Sequence, residues 1–123
     1  MSQFNESSVR AFACATAITK GYAVKFDSGN IVVAAAATDA IIGVMDITSV
    51  AGEDAHVRLR SGSGTAIGNA GGTIAVGDKV TSAADGQLIA TTTAGDEVVG
   101  IAIEAASAGD DFEMILSTGE IGA

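Results

Sequence analysis

The sequence predicts an all-β fold: a small antiparallel β-barrel or β-sandwich built from two sequence-similar halves, with an extended N-terminal arm. Three observations carry this expectation. The stretch Ile41 to Leu59, IIGVMDITSVAGEDAHVRL, is closely matched by Val98 to Leu116, VVGIAIEAASAGDDFEMIL. The runs inside both stretches are rich in Ile and Val, residue types that suit a pleated, half-buried surface. Sixteen glycines with no proline meet the needs of many tight turns and argue against a Pro-rich stalk.

The halves are found by sliding the chain on itself by 57 positions, which aligns Gly29 with Gly86 and runs without a gap to Arg60 against Ser117. The pairs Gly29/Gly86, Ala37/Ala94, Asp39/Asp96, Gly43/Gly100, Ala51/Ala108, Gly52/Gly109 and Leu59/Leu116 are identical. The punctuation coincides as well: a Gly-led turn, a β-branched run, an apolar run broken by one Gly, an Ala-Gly-acid-acid turn and a closing run. Upstream, KGYAV at Lys20 to Val24 matches VGDKV at Val76 to Val80 after a slip of one residue.

In chain order, the polar start leads into Ser7 to Ile18. That segment has helical potential from its alanines and a Ser cap. The alternation of Val9, Ala11, Ala13 and Ala15 with Arg10, Phe12, Cys14 and Thr16 favours a strand instead. The dipeptides Ser28–Gly29 and Asp85–Gly86, flanked by apolar runs, are hairpin signals. In the closing run of copy one, Val57 and Leu59 face one way and His56, Arg58 and Arg60 the other. The expected organisation is an arm and first strand over residues 1–19, then one β domain over 20–123. That domain comprises copy one at 20–60, a Gly-rich flexible connector at 61–75, copy two at 76–117 and a tail at 118–123. Isolated hairpins are marginal, so two copies of about four strands each should cover one another, with approximate internal twofold symmetry.

Composition excludes several functions. With 123 residues, 48% apolar, the chain suits one domain whose core is made of many small Ala, Val and Ile contacts. A net charge of −9 with six basic residues is wrong for nucleic acid, which is bound through clustered Lys and Arg. The longest apolar run, Ile31 to Ala37, is too short to span a membrane, so no membrane partner is expected. A cleaved leader is not expected either, because Glu6 and a lone Arg10 precede a short apolar core. One cysteine, Cys14, forbids an internal disulfide.

Catalytic groups are scarce. His56 is the only histidine; on a strand face beside Arg58 it reads as a surface residue, and Cys14 reads as a small buried one. The acidic pairs Glu53–Asp54 and Asp110–Asp111 sit at equivalent turns and fall short of the six to eight oxygens that Ca²⁺ takes. Gly62, Gly64 and Gly68 lack the spacing and the following Lys-Ser/Thr of a phosphate loop. No enzyme activity, cofactor or metal is expected. One face differs between the copies: His56, Arg58 and Arg60 in the first stand where the second has Glu113, Ile115 and Ser117. Arg58 and Arg60 are therefore candidates for pairing with acidic groups across a subunit or partner boundary.

The motifs GDKVTSAADG at Gly77 to Gly86, VVGIA at Val98 to Ala102 and ASAGD at Ala106 to Asp110, in this succession around a Gly-rich middle, resemble the capsid cement, or head decoration, proteins of tailed bacteriophages. The resemblance covers almost the whole chain. It implies a non-enzymatic β-rich subunit, commonly a homotrimer. Such a subunit sits on the outside of the mature head at threefold or quasi-threefold positions and clamps the major capsid protein against internal DNA pressure. It also implies an N-terminal arm that touches the shell or a neighbour, which makes Gln3, Phe4, Asn5, Val9, Arg10 and Phe12 contact candidates. Synthesis in the host cytoplasm and residence on the virion surface follow from the same resemblance. A rival reading, a repeat-type β module of an adhesive assembly binding carbohydrate or protein, fits the repeats and the acidity but finds few aromatics to build on.

Overall fold

The computed structural model describes residues 9–14, 16–59, 65–83 and 85–116, with Arg10 by its backbone alone. These residues hold ten strands and no helix: β1 (Val9–Ala13), β2 (Ala23–Asp27), β3 (Asn30–Val33), β4 (Gly43–Met45), β5 (Asp54–Leu59), β6 (Thr65–Asn69), β7 (Lys79–Ser82), β8 (Leu88–Ala90), β9 (Gly100–Ala102) and β10 (Asp111–Leu116). They form two five-stranded sheets, ordered β1-β5-β4-β2-β3 and β6-β10-β9-β7-β8, with every ladder antiparallel. The fold is all-β and sandwich-like. Neither sheet closes into a barrel, although an isolated parallel bridge ties Cys14 to Ile31 in the first and Ala70 to Leu88 in the second.

The second sheet repeats the first strand for strand. Val24 pairs with Gly43 and Val80 with Gly100, so the one-residue slip upstream of the aligned stretch is a real feature of the repeat. The repeat also reaches further than the sequence alignment. β1 and β6 are counterparts, and the bridge Ile18–Ser49 is matched by Ile74–Ala106. Residues 65–69, expected as part of a flexible connector, are therefore the first strand of the second half, and each half has five strands rather than about four. Gly68 hides this strand in the sequence because an interior glycine reads as a breaker. Its reason is spatial: a Cβ there would lie 2.5 Å from Leu88 Cδ1 and 3.2 Å from the Phe112 ring.

The β2–β3 hairpin turns at Ser28 and Gly29, whose φ values of 52° and 85° are the two positive angles a type I′ turn requires. Equivalent positions build each core. The first half buries Cys14, Ile18, Val24, Ile31, Met45, Ala55 and Val57; their counterparts Ala70, Ile74, Val80, Leu88, Ala102, Phe112 and Met114 are buried in the second. Volume is exchanged within facing pairs. Phe12 faces Ala55 in the first half, where Gly68 faces Phe112 in the second; Met45 faces Val57 where Ala102 faces Met114. A large and a small side chain fill each site, swapped between partners, which keeps the total volume nearly constant.

The halves share one apolar cluster, in which Ala23, Ala34, Ile41 and Val44 pack with Ala66, Val80, Leu88, Val99 and Leu116. Backbone bonds cross the boundary: Asn69 N–H donates to Gly21 O at 3.1 Å, Ala23 N–H to Gly86 O at 2.8 Å and Glu97 N–H to Ala37 O at 2.8 Å. The expected twofold symmetry fails at this contact. Ala23 and Val44 are covered by the other half, while their counterparts are an exposed Lys79 and a half-exposed Ile101. The halves meet through unlike faces.

Candidate interaction surface

The outer face of the first sheet carries His56, exposed, and Arg58, half-buried. Arg58 is engaged within its own chain: Nη2 and Nε donate to Asp46 Oδ1 at 3.1 and 3.3 Å. Half-buried Val9 faces Arg58 across the β1–β5 ladder, and the backbone of Arg10 pairs with Val57. Phe12 lies edge-on against Phe26, with centroids 5.2 Å apart and rings at 82°, and Phe26 is 51% exposed. Gln3, Phe4, Asn5 and Arg60 fall outside the described residues. The structure thus joins Phe12 to an aromatic not singled out from the sequence.

The corresponding face of the second sheet is apolar. Ile67 on β6 faces Glu113 on β10, and Ile115 stands two residues along the same strand face. Ile67, Ile103 and Ile115 are all exposed. Glu113 is held in their midst, its carboxylate accepting from Thr65 Oγ1 at 2.7 Å while its own N–H donates to Glu104 Oε1 at 2.8 Å. Alternation along DFEMIL contained the signal, since Met114 and Leu116 go inward and Ile115 must then go outward.

Two concavities accompany these faces. A cleft of about 320 Å³ at the boundary between the halves is lined by Lys20, Asp46, Arg58, Thr65 and Ile67 among others. A groove of about 650 Å³ runs along Gly77, Asp78, Lys79, Ala90, Thr91 and Thr92. Beside the sheets, Asp39 caps a tight turn, accepting from the amides of Ala35 at 3.0 Å and Ala36 at 3.1 Å, with Lys25 Nζ at 3.1 Å. The Lys25 hydrogen bond is the main cause that holds the Asp39 carboxyl below its ordinary range; burial opposes it and the two amides assist. The equivalent Asp96 accepts from Thr91 Oγ1 at 2.6 Å instead.

Among the described residues the candidate chemical groups stay apart. Cys14 is buried and its thiol donates to Thr16 O at 2.6 Å, whereas His56 lies on the exposed face. Glu53, Asp54, Asp110 and Asp111 are exposed, and among the described residues no group of three or more His, Cys, Asp or Glu is placed to hold a metal ion. What the arrangement offers is contact: an aromatic edge, an apolar sheet face and a groove.

Comparison with known proteins places the chain in a family and finds solved structures of like fold. Residues 11–117 match the family described as phage cement protein. The fold is similar to the crystal structure of the N base of head fiber gp8.5 in bacteriophage phi29, with a TM-score of 0.74 and 20% identity over 94% of this chain and 98% of that one. No curated protein matches the sequence.

Proposed function

The chain belongs to the phage cement protein family and is a structural protein of the phage capsid, and from that premise we propose that it binds the outside of the mature head at threefold or quasi-threefold positions as a homotrimer. There it reinforces the major capsid protein lattice against the pressure of packaged DNA. The observation that carries this reading is the family match over residues 11–117, which spans every described strand from β2 to β10. The surface agrees with it. Exposed Ile67, Ile103 and Ile115 form an apolar sheet face suited to burial against another protein, and the net charge of −9 keeps the free protein soluble. The solved relative of like fold is the base of a phage head fiber, also a head-attached part. In this reading Val9, Arg10, Phe12, Arg58 and Arg60, with Gln3, Phe4 and Asn5 of the arm, contact the shell or a neighbouring subunit, and no cofactor takes part.

The test is the heat resistance of virions. Particles assembled without this protein should release DNA at a lower temperature than decorated ones, and adding the purified protein back should restore the difference. Equal release temperatures refute the reinforcing role.

A further inference from the structure

The chain makes one contact with itself whose two sides each recur, uncovered, elsewhere on the molecule. In the internal contact, Asn69, Ser82 and Gly86 of the second half lie on Gly21, Ala23 and Ala34 of the first. Asn69 N–H donates to Gly21 O, Ala23 N–H donates to Gly86 O, and the Ser82 hydroxyl donates to Ala34 O. By the repeat, the counterparts of the inserting side are Ala13, Phe26 and Gly29, all exposed. The counterparts of the receiving side are Gly77 and Lys79, exposed, and Thr91, half-exposed. Glycines mark the difference: a Cβ on Gly21 would come within 2.8 Å of Asn69 N and one on Gly86 within 3.0 Å of Val33, while Gly29 and Gly77 have nothing within 4 Å.

The free receiving side is the 650 Å³ groove beside Lys79 and Thr91. The free inserting side presents Phe26 where the internal contact has only Ser82. A bulkier plug thus stands ready for an open socket. Exposed Asp27 flanks Phe26, and the groove carries both Lys79 and Asp78, so an incoming Asp27 has a cation to meet there beside one like charge. We propose that a second copy of this chain inserts its Phe26 edge into that groove, repeating between molecules the contact that joins the halves. A contact between unlike faces is heterologous, so copies add head to tail and are satisfied only when a ring closes. The ring size of three rests on the capsid reading above; the interface rests on the repeat alone.

The experiment is light scattering behind a sizing column on four samples. The native chain should have the mass of three chains. Phe26→Asp, which spoils the plug, and Ala90→Arg, which fills the groove, should each have the mass of one. An equimolar mixture of the two variants retains one good plug and one good socket, and should give the mass of two chains; misfolded variants cannot produce that species. A native mass of one chain, variants that keep the mass of three, or a mixture that stays at one chain overturns the proposal. Binding of the native chain to undecorated heads is measured separately. Trimers that fail to bind heads refute the capsid reading and leave this interface standing. Head binding and trimer mass both unchanged in the variants refute the interface and leave the capsid reading.

Discussion

Asp39 shows how one residue type serves both halves through different partners, pairing with Lys25 where Asp96 pairs with Thr91. Its depressed pKa has a definite sign. The folded protein holds the ionised form more tightly than the unfolded chain does, so the stabilisation is present above the ordinary carboxyl value of 3.8 and is lost as pH falls through the lower folded value. Asp39→Asn should cost about 0.5 to 1 kcal/mol at neutral pH, an estimate kept small because the site is partly solvated. The gap between native and variant should narrow as pH falls below 3.8 and close once pH passes the lower folded value. Denaturant titrations at neutral pH and through the acid range check this, and a gap independent of pH refutes the ionic role. The aspartates were legible as repeat positions, but which partner each takes was not. Lys25 reaches Asp39 only because β2 passes beside the 34–39 turn, a tertiary fact with no local signature.

At the scale of the strand, the swapped pairs make the sharpest claim. Met45→Ala should open a cavity and cost about 2–5 kcal/mol. Val57→Met should overpack the same site by about 1–3 kcal/mol. Together they recreate the Ala102–Met114 pair of the other half, so the double variant should recover to within about 1.5 kcal/mol of native. Additive losses in a double-mutant cycle would show that the two sites are not equivalent. Much of this level was readable from the sequence. The hairpin at Ser28–Gly29, the outward His56 and Arg58 and the strand at Val9 all followed from alternation and turn chemistry. β6 did not, because Gly68 answers to the Phe112 ring across the sheet and not to its own neighbours in the chain. The groove was equally hidden, since its lining comes from residues 77–79 and 90–92, which only the fold brings together.

For the whole molecule, the shared apolar cluster predicts that the halves unfold as one unit. Tyr22, the only tyrosine in a chain without tryptophan, reports on that boundary, because a Cβ on Gly86 of the other half would lie 3.2 Å from its ring. Tyr22 fluorescence and far-ultraviolet dichroism should therefore share one denaturation midpoint; two separated midpoints would mean that the halves are independent. The repeat and the all-β class were visible from the sequence, while the unlike faces of the contact were not, since exposure at Lys79 against burial at Ala23 depends on which side of a sheet is covered. Two near-copies joined in one chain also run a risk during synthesis, because a strand can pair with its counterpart's partner. The exchanged large and small residues penalise that error. β1 laid against β10 would set Phe12 opposite Phe112, and β6 against β5 would set Gly68 opposite Ala55, leaving one crowded sheet and one hollow one. Divergence between the halves thus penalises cross-copy pairing of the nascent chain at the ladders of β5 and β10, where each strand fits best the neighbour from its own copy.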